Sequence, residues 1–179
     1  MIRNVWKFIT SIVTTGALSP CWDSSIEAML YNIDRSTTLT IVEYGPGLGG
    51  FTRYLLDKSA AEATLTCFEI NEQDFGSELA SITDPRLRIH YASCEDVGKF
   101  FEKNSVDLIV STVPLSLIGK AKSSDIIQQS YEVLKPGGML ITGQYRSFAR
   151  PLLTNIFGHV EHSRHLHNLP PLQIMKVIK

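Results

Sequence analysis

Glu43, Gly45, Gly47 and Gly50 stand within one short stretch, Ile41-Val42-Glu43-Tyr44-Gly45-Pro46-Gly47-Leu48-Gly49-Gly50-Phe51, and their types and spacing could hold a ligand through the backbone. Glycines spaced G-x-G-x-x-G behind an apolar strand permit positive φ and let a ligand approach the amides at a helix N-terminus. The acid then restricts which ligand. A pyrophosphate beside Glu43 would be repelled by about 4 kcal/mol at ~4 Å and an effective dielectric of ~20, whereas an ammonium group would be attracted by a similar amount. A second carboxylate, Glu69, with Ile70 beside it, follows at close to the roughly 20-residue spacing at which a βαβ unit presents an acid to ribose hydroxyls.

These residues need strands that end together and helices that begin beside them. Ile41 and Val42 belong to a short buried strand, and Phe51, Tyr54 and Leu55 recur at helical spacing behind the glycines. Residues 63–69 read as a second strand and 74–82 as a helix. Residues 87–91 form a third strand whose end, Ala92-Ser93-Cys94, is expected to border an adenine. Residues 105–111 are a fourth strand that leads through Ser111 into the loop Thr112-Val113-Pro114-Leu115. In an open α/β sheet the ligand crevice lies at the carboxyl ends of the strands, so this loop is the expected substrate loop. A helix through Ile126, Ile127, Ser130, Tyr131 and Leu134 is expected to stop at a turn, Lys135-Pro136-Gly137-Gly138. The fifth strand, 139–145, brings Tyr145, Arg146 and Arg150 to the same crevice. Residues 159–167 and 172–178 are expected to close the sheet as an antiparallel pair.

At the other end, Ile2, Val5, Trp6, Ile9 and Val13 keep a helical rhythm with Arg3 and Lys7 elsewhere around the wheel. This amphipathic stretch suits an interface position, and residues 1–14 are expected to meet an anionic membrane surface. The expected architecture is a doubly wound, mostly parallel α/β sheet with an antiparallel C-terminal strand pair and an N-terminal amphipathic helix. It is a single domain over residues 1–179, with an N-terminal helical segment over 1–35 and a Rossmann-like core over 36–179.

A length of 179 residues with 44% hydrophobic content supports one domain with its own core. The net charge of −1 excludes a polyanion binder overall, but the charge is uneven. Lys135, Arg146, Arg150, Arg164, Lys176 and Lys179 face only Glu161 after residue 133. Cys21, Cys67 and Cys94 lack metal spacing, and His159, His162, His165 and His167 lie in an extended segment that would not gather them on one face. No metal site is therefore expected. The cysteine usage points to a reduced, cytoplasmic setting, and the amphipathic residues 1–14 add the expectation of peripheral membrane association.

With Glu-x-Gly-x-Gly at 43–47, the acid at Glu69 and Leu134-Lys135-Pro136-Gly137-Gly138 before the fifth strand, the chain resembles class I S-adenosylmethionine-dependent methyltransferases. Within that class it is most similar to bacterial phospholipid N-methyltransferases, which methylate phosphatidylethanolamine. The likeness rests on Trp6-Lys7 with Thr15-Gly16-Ala17-Leu18-Ser19-Pro20, on Val42 to Gly47, on Val110 to Leu115, and on His167-Asn168-Leu169-Pro170-Pro171. Two positions depart from the family: Ser93 replaces the usual aspartate at the adenine amino group, and Cys21-Trp22 replaces a small hydroxyl pair.

The resemblance implies S-adenosylmethionine held by Glu43, Gly45, Gly47, Glu69, Ile70, Ser93, Cys94 and Ser111. It also implies a phospholipid amine at Ser111, Thr112 and Tyr145, where oxygens and an aromatic face suit a nitrogen that loses a proton and gains cationic character. Pro114, Arg146 and Arg150 would bind the rest of the substrate. An RNA adenine-N6 methyltransferase shares the glycine motif, but its Asn-Leu-Pro-Tyr-like loop, whose ring stacks on a base, is here Thr112 to Leu115. No nucleic-acid partner is therefore expected. A non-catalytic lipid- or cofactor-binding protein remains the alternative from another class.

Overall fold

The computed structural model describes residues 21–34, 39–168 and 170–179, with side chains from Ser24 onward. The amphipathic stretch 1–14, the segment through Pro20, the Cys21 and Trp22 side chains and Leu169 lie outside the described residues. Helix α1 (Cys21–Met29) precedes β1 (Thr40–Tyr44), α2 (Gly50–Lys58), β2 (Thr64–Phe68), α3 (Glu72–Ala80) and β3 (Leu87–His90). A 3-10 helix (Cys94–Lys99) then leads to β4 (Val106–Ser111), α4 (Leu115–Ile118), α5 (Lys120–Val133) and β5 (Leu134–Gln144). Helix α6 (Ala149–Phe157), β6 (Glu161–His165) and β7 (Leu172–Ile178) complete the described elements.

The strands form one seven-stranded sheet in the order β3-β2-β1-β4-β5-β7-β6. Strands β3, β2, β1, β4 and β5 run parallel, and β7 is antiparallel to both β5 and β6. This is the expected doubly wound, mostly parallel α/β sheet, with the expected antiparallel C-terminal pair. Alternate strand residues feed opposite faces, as the pleat requires. Val42, Tyr44, Ile109 and Leu140 pack with Ile126, Ile127 and Leu153 of α5 and α6. On the other face Ile41, Leu65, Val110 and Ile141 pack with Ile26 and Met29 of α1 and Phe51 and Leu55 of α2. Burying each such side chain contributes about 1.5–3 kcal/mol, which is why these strands read as continuous apolar runs.

Helix α1 is fastened to the C-terminal hairpin by polar contacts. Ser24 Oγ lies 3.1 Å from His165 Nε2, Ser25 Oγ donates to Asn168 Oδ1 at 2.9 Å, and Lys176 Nζ donates to the Tyr31 carbonyl at 2.8 Å. The helix is thereby held across the carboxyl end of β5, beside the crevice.

Four expectations need correction. Helix α3 begins at Glu72, not Asp74, because the Asn71 side chain accepts from the Asp74 amide and caps the first turn, and it ends at Ala80. Helix α5 begins at Lys120, with Ser123 Oγ donating to the Leu115 carbonyl at 2.8 Å, and ends at Val133, so Leu134, expected on this helix, opens β5 instead. The Lys135-Pro136-Gly137-Gly138 segment is not a separate turn but an outward loop within β5. The pairing jumps from Val106–Leu134 to Leu108–Met139, and the Gly137 amide donates to the Lys179 carbonyl at 2.9 Å. The histidine segment is extended only over Glu161–His165; beyond it the chain turns, and the His165 and His167 rings meet at 4.9 Å. These two histidines therefore lie side by side, whereas the expectation concerned all four gathering on one face.

Candidate functional site

Sheet order reverses between β1 and β4, and the chain leaves both strands at their carboxyl ends to make the crevice where ligands bind in such sheets. On the β1 side the turn opens with Gly45 at φ +73 and Gly47 at φ +56. A Cβ at Gly47 would meet nothing within 4 Å, so the turn is open beside its Cα. The third restricted position is Gly49, which the glycine spacing did not single out. It caps α2 at φ +76, and a Cβ there would fall 2.7 Å from Ile82 Cδ1.

Glu43 is 1% exposed, inside the sheet two residues before this turn. Its Oε2 accepts from Thr52 Oγ1 at 2.7 Å and from Cys67 Sγ at 3.3 Å, while Oε1 has no partner among the described residues. Burial pushes the carboxyl up to about 7, against the two hydrogen bonds, and Glu69 adds a smaller push in the same direction. Glu69, 2% exposed at the end of β2, accepts from the Gly47 amide at 3.2 Å through Oε2 and from the Asn71 amide at 2.9 Å through Oε1. Burial raises its proton affinity as well, opposed by those backbone donors. Ile70, next along the chain, is 58% exposed and offers an apolar face at the same edge.

Beyond β3, the Ser93 side chain accepts from the Glu95 amide at 3.3 Å and caps the 3-10 helix, and Cys94 is buried. Burial pushes the Cys94 thiol up to about 12, so it is an uncharged wall rather than a nucleophile.

On the β4 side Thr112 Oγ1 donates to the Gly45 carbonyl at 2.9 Å, and the Thr112 amide donates to the Tyr44 carbonyl at 3.1 Å. The loop Thr112 to Leu115, expected to meet the substrate, is thus tied to the glycine turn. Its other end is held by Gln144, which was not anticipated as a site residue. The Gln144 Nε2 donates to the Val113 carbonyl and to Thr142 Oγ1, both at 2.8 Å, and Oε1 accepts from the Leu115 amide at 3.1 Å. An amide directly after the run Met139 to Gly143, on the same strand, was the available signal, because a buried amide requires partners. Pro114 lies between the two anchor points and caps the short helix α4.

Thr112 and Tyr145 line one cavity of about 60 Å³, together with Ser25, Ile26, Met29, Phe51, Gly143 and Leu172. Burial raises the Tyr145 phenol, which keeps it neutral. Ser111 is not in that wall. Its hydroxyl is buried without a partner among the described residues, on the sheet face of Ile109, opposite the face of Glu43. Arg146 and Arg150 are exposed and form no ion pair among the described residues, and Arg150 lines an outer groove on α6 with Pro151, Thr154 and Asn155. The structure therefore brings together Glu43, Gly45, Gly47, Glu69 and Thr112 by direct or shared contacts and joins Thr112 to Tyr145. It leaves Ser111, Arg146 and Arg150 outside the cavity.

A parallel sheet with a glycine turn at its reversal and a carboxylate closing that turn from the next strand defines an α/β protein that binds a nucleoside-bearing ligand. A family model described as a methyltransferase domain matches residues 41–138. The chain belongs to the methyltransferase domain family. It is 23% identical over 148 residues to the phosphoethanolamine N-methyltransferase of Plasmodium falciparum, covering 79% of this chain and 51% of that protein. It is 26% identical over 137 residues to the squalestatin tetraketide synthase of a Phoma species, covering 67% of this chain and 5% of that protein. The chain thus spans about half of one curated relative and a small part of the other. Among solved structures, the 1,6-didemethyltoxoflavin-N1-methyltransferase of Burkholderia thailandensis, with bound S-adenosylhomocysteine, shares the fold. Its TM-score is 0.73 at 14% identity, over 98% of this chain and 86% of that one.

The residues at the turn fit S-adenosylmethionine, the cofactor that the sequence resemblance implies. Glu43 Oε1 is a buried oxygen in want of a donor, Gly47 leaves open space beside its Cα, and Ile70 offers an uncovered apolar surface.

Proposed function

We propose that the chain transfers the methyl group of S-adenosylmethionine to the amine of a phospholipid head group of the phosphoethanolamine type, at an anionic membrane surface. One observation carries the reading. Thr112, which lines the cavity with Tyr145, donates its hydroxyl to the Gly45 carbonyl of the glycine turn, which supports an acceptor bound beside the methyl donor. The bound cofactor supplies an electrophilic methyl on a sulfonium, and what is asked of the protein is mainly positioning.

Glu43 and Glu69 hold the ligand's ammonium and ribose, and Ile70, Ser93 and Cys94 face its adenine. Thr112, with its proton committed to Gly45, keeps lone pairs that accept a hydrogen bond from the incoming amine. The Tyr145 ring attracts the nitrogen as it becomes cationic. Ser111, buried behind the loop, supports that wall from the other side of the sheet. Pro114 shapes the loop, and Arg146 and Arg150, exposed beyond β5, would pair with the head-group phosphate. The phosphoethanolamine relative favours an amine acceptor, and the loop Thr112 to Leu115 lacks the aromatic ring that a flipped base would stack on.

The test is incubation with a methyl-labelled donor in the presence of phosphatidylethanolamine vesicles, other lipids and RNA. Label recovered as an N-methylated phospholipid supports the proposal. Label recovered in RNA, or in no lipid while the cofactor binds, overturns it.

A further inference from the structure

Glu43 is a buried acid with no cation beside it among the described residues. The groups that face it are known element by element. From α2 comes the Thr52 hydroxyl, from β2 the Cys67 thiol and, at that strand's end, Glu69, and from β4 the apolar Val110. Both donors converge on Oε2, which leaves Oε1 as the oxygen with capacity to spare. A buried carboxylate in this position, with a second acid as its closest charged neighbour, is held more easily as the neutral acid. The raised proton affinity of the group agrees with that geometry.

We propose that cofactor binding at this site is an exchange: Glu43 releases a proton from Oε1 to solvent as the ligand's ammonium takes its place, with Thr52 and Cys67 fixing Oε2. The inference rests on the reading of the turn as the S-adenosylmethionine site. In the exchange no covalent bond to the ligand forms. The carboxyl O–H breaks, the proton leaves to buffer, and a carboxylate–ammonium pair replaces a neutral acid and a solvated ammonium. Thr52 is a positioning residue, because it touches Glu43 and sets which oxygen is free.

The consequence is a pH-dependent affinity. Below about pH 7 each ligand bound must displace a proton, so the dissociation constant should fall close to tenfold per pH unit between about 5 and 6.5 and level off above about 7. Above about pH 8 the ligand's own amine begins to lose its charge and affinity should decline again.

Calorimetry of the full chain with S-adenosylhomocysteine, in pairs of buffers that differ in ionisation enthalpy, counts the protons directly. At pH 6 the wild type should release most of one proton and at pH 7.5 far less. The Glu43→Gln variant, which keeps the shape of the neutral acid, should bind weakly at both values and release none through this route. Thr52→Ser should preserve both release and affinity, while Thr52→Val should shift the pH at which affinity levels off. Binding at pH 6 without buffer dependence, or identical release by Glu43→Gln, overturns the exchange while leaving the cofactor site standing. Absence of any binding by the wild type overturns the cofactor reading and the exchange together.

Discussion

Glu69 spends one oxygen on the Gly47 amide and the other on the Asn71 amide, so it shapes the glycine turn before any ligand arrives. Each oxygen retains lone-pair capacity for a ribose hydroxyl. Glu69→Ala should therefore weaken S-adenosylhomocysteine binding by about 1.5–3 kcal/mol, the scale of hydrogen bonds to a charged group, read by calorimetry. Glu43 makes a different contribution, one of pH. Its carboxyl ordinarily titrates near 4.5 and in the fold titrates at about 7, so the folded chain binds more protons than the unfolded chain between those values. Stability from this group is fully present below about pH 4.5 and is lost as pH rises through about 7, a change of about 3 kcal/mol in the ligand-free protein. Urea unfolding of the wild type and Glu43→Gln at pH 5 and pH 8 should show that fall in the first and its absence in the second. Ser93 caps the 3-10 helix, a place that aspartate also fills well. Ser93→Asp should keep the cap, add a carboxylate facing the adenine amino group, and tighten cofactor binding. Loss of affinity in a folded Ser93→Asp would show that this side chain does not face the adenine.

At the scale of elements, the substrate loop is a strap with two fastenings, Thr112 on Gly45 and Gln144 on Val113 and Leu115. Gln144→Leu removes the second and leaves a buried carbonyl and amide unpaired, at a cost of about 1–3 kcal/mol in stability. Its distinctive effect should be a lower kcat/KM for methyl transfer with little change in S-adenosylhomocysteine affinity, since the glycine turn is untouched. The strands, the glycine turn and the acid at Glu69 were legible because each announces itself locally, through an apolar run or a residue type at fixed spacing. Gln144, Thr52 and Cys67 were not, because their roles depend on which strands and helices come to lie side by side. Gly49 was hidden for a related reason: its need for a bare Cα comes partly from Ile82, which reaches it from beyond the end of α3. The start of α5 carried no local signal, since the polar segment Lys120 to Asp125 has no apolar rhythm and its first turns follow Gly119 and the Ser123 bond to Leu115.

At the scale of the whole molecule, the unevenness of charge connects the fold to its proposed substrate. Among the described residues no helix is long and apolar enough to cross a membrane. Helix α1 lies beside the cavity under Tyr145 and is tied to the C-terminal hairpin, and the chain that leads into it begins with Arg3 and Lys7 and carries no acid before Asp23. Each basic residue near an anionic surface contributes about 1 kcal/mol, and an apolar stripe of Ile2, Val5, Trp6, Ile9 and Val13 would add burial. Two or three such charges give a reversible association that salt weakens within a Debye length of about 10 Å at ~0.1 M. Arg3→Glu combined with Lys7→Glu should therefore cut binding to anionic vesicles and methyl transfer on bilayers, and leave S-adenosylhomocysteine affinity unchanged, because the glycine turn is built without these residues. Co-sedimentation with anionic and neutral vesicles, at low and high salt, checks it. Equal binding to both vesicle types, or no loss in the double variant, would mean that the cavity meets its lipid without help from this end of the chain.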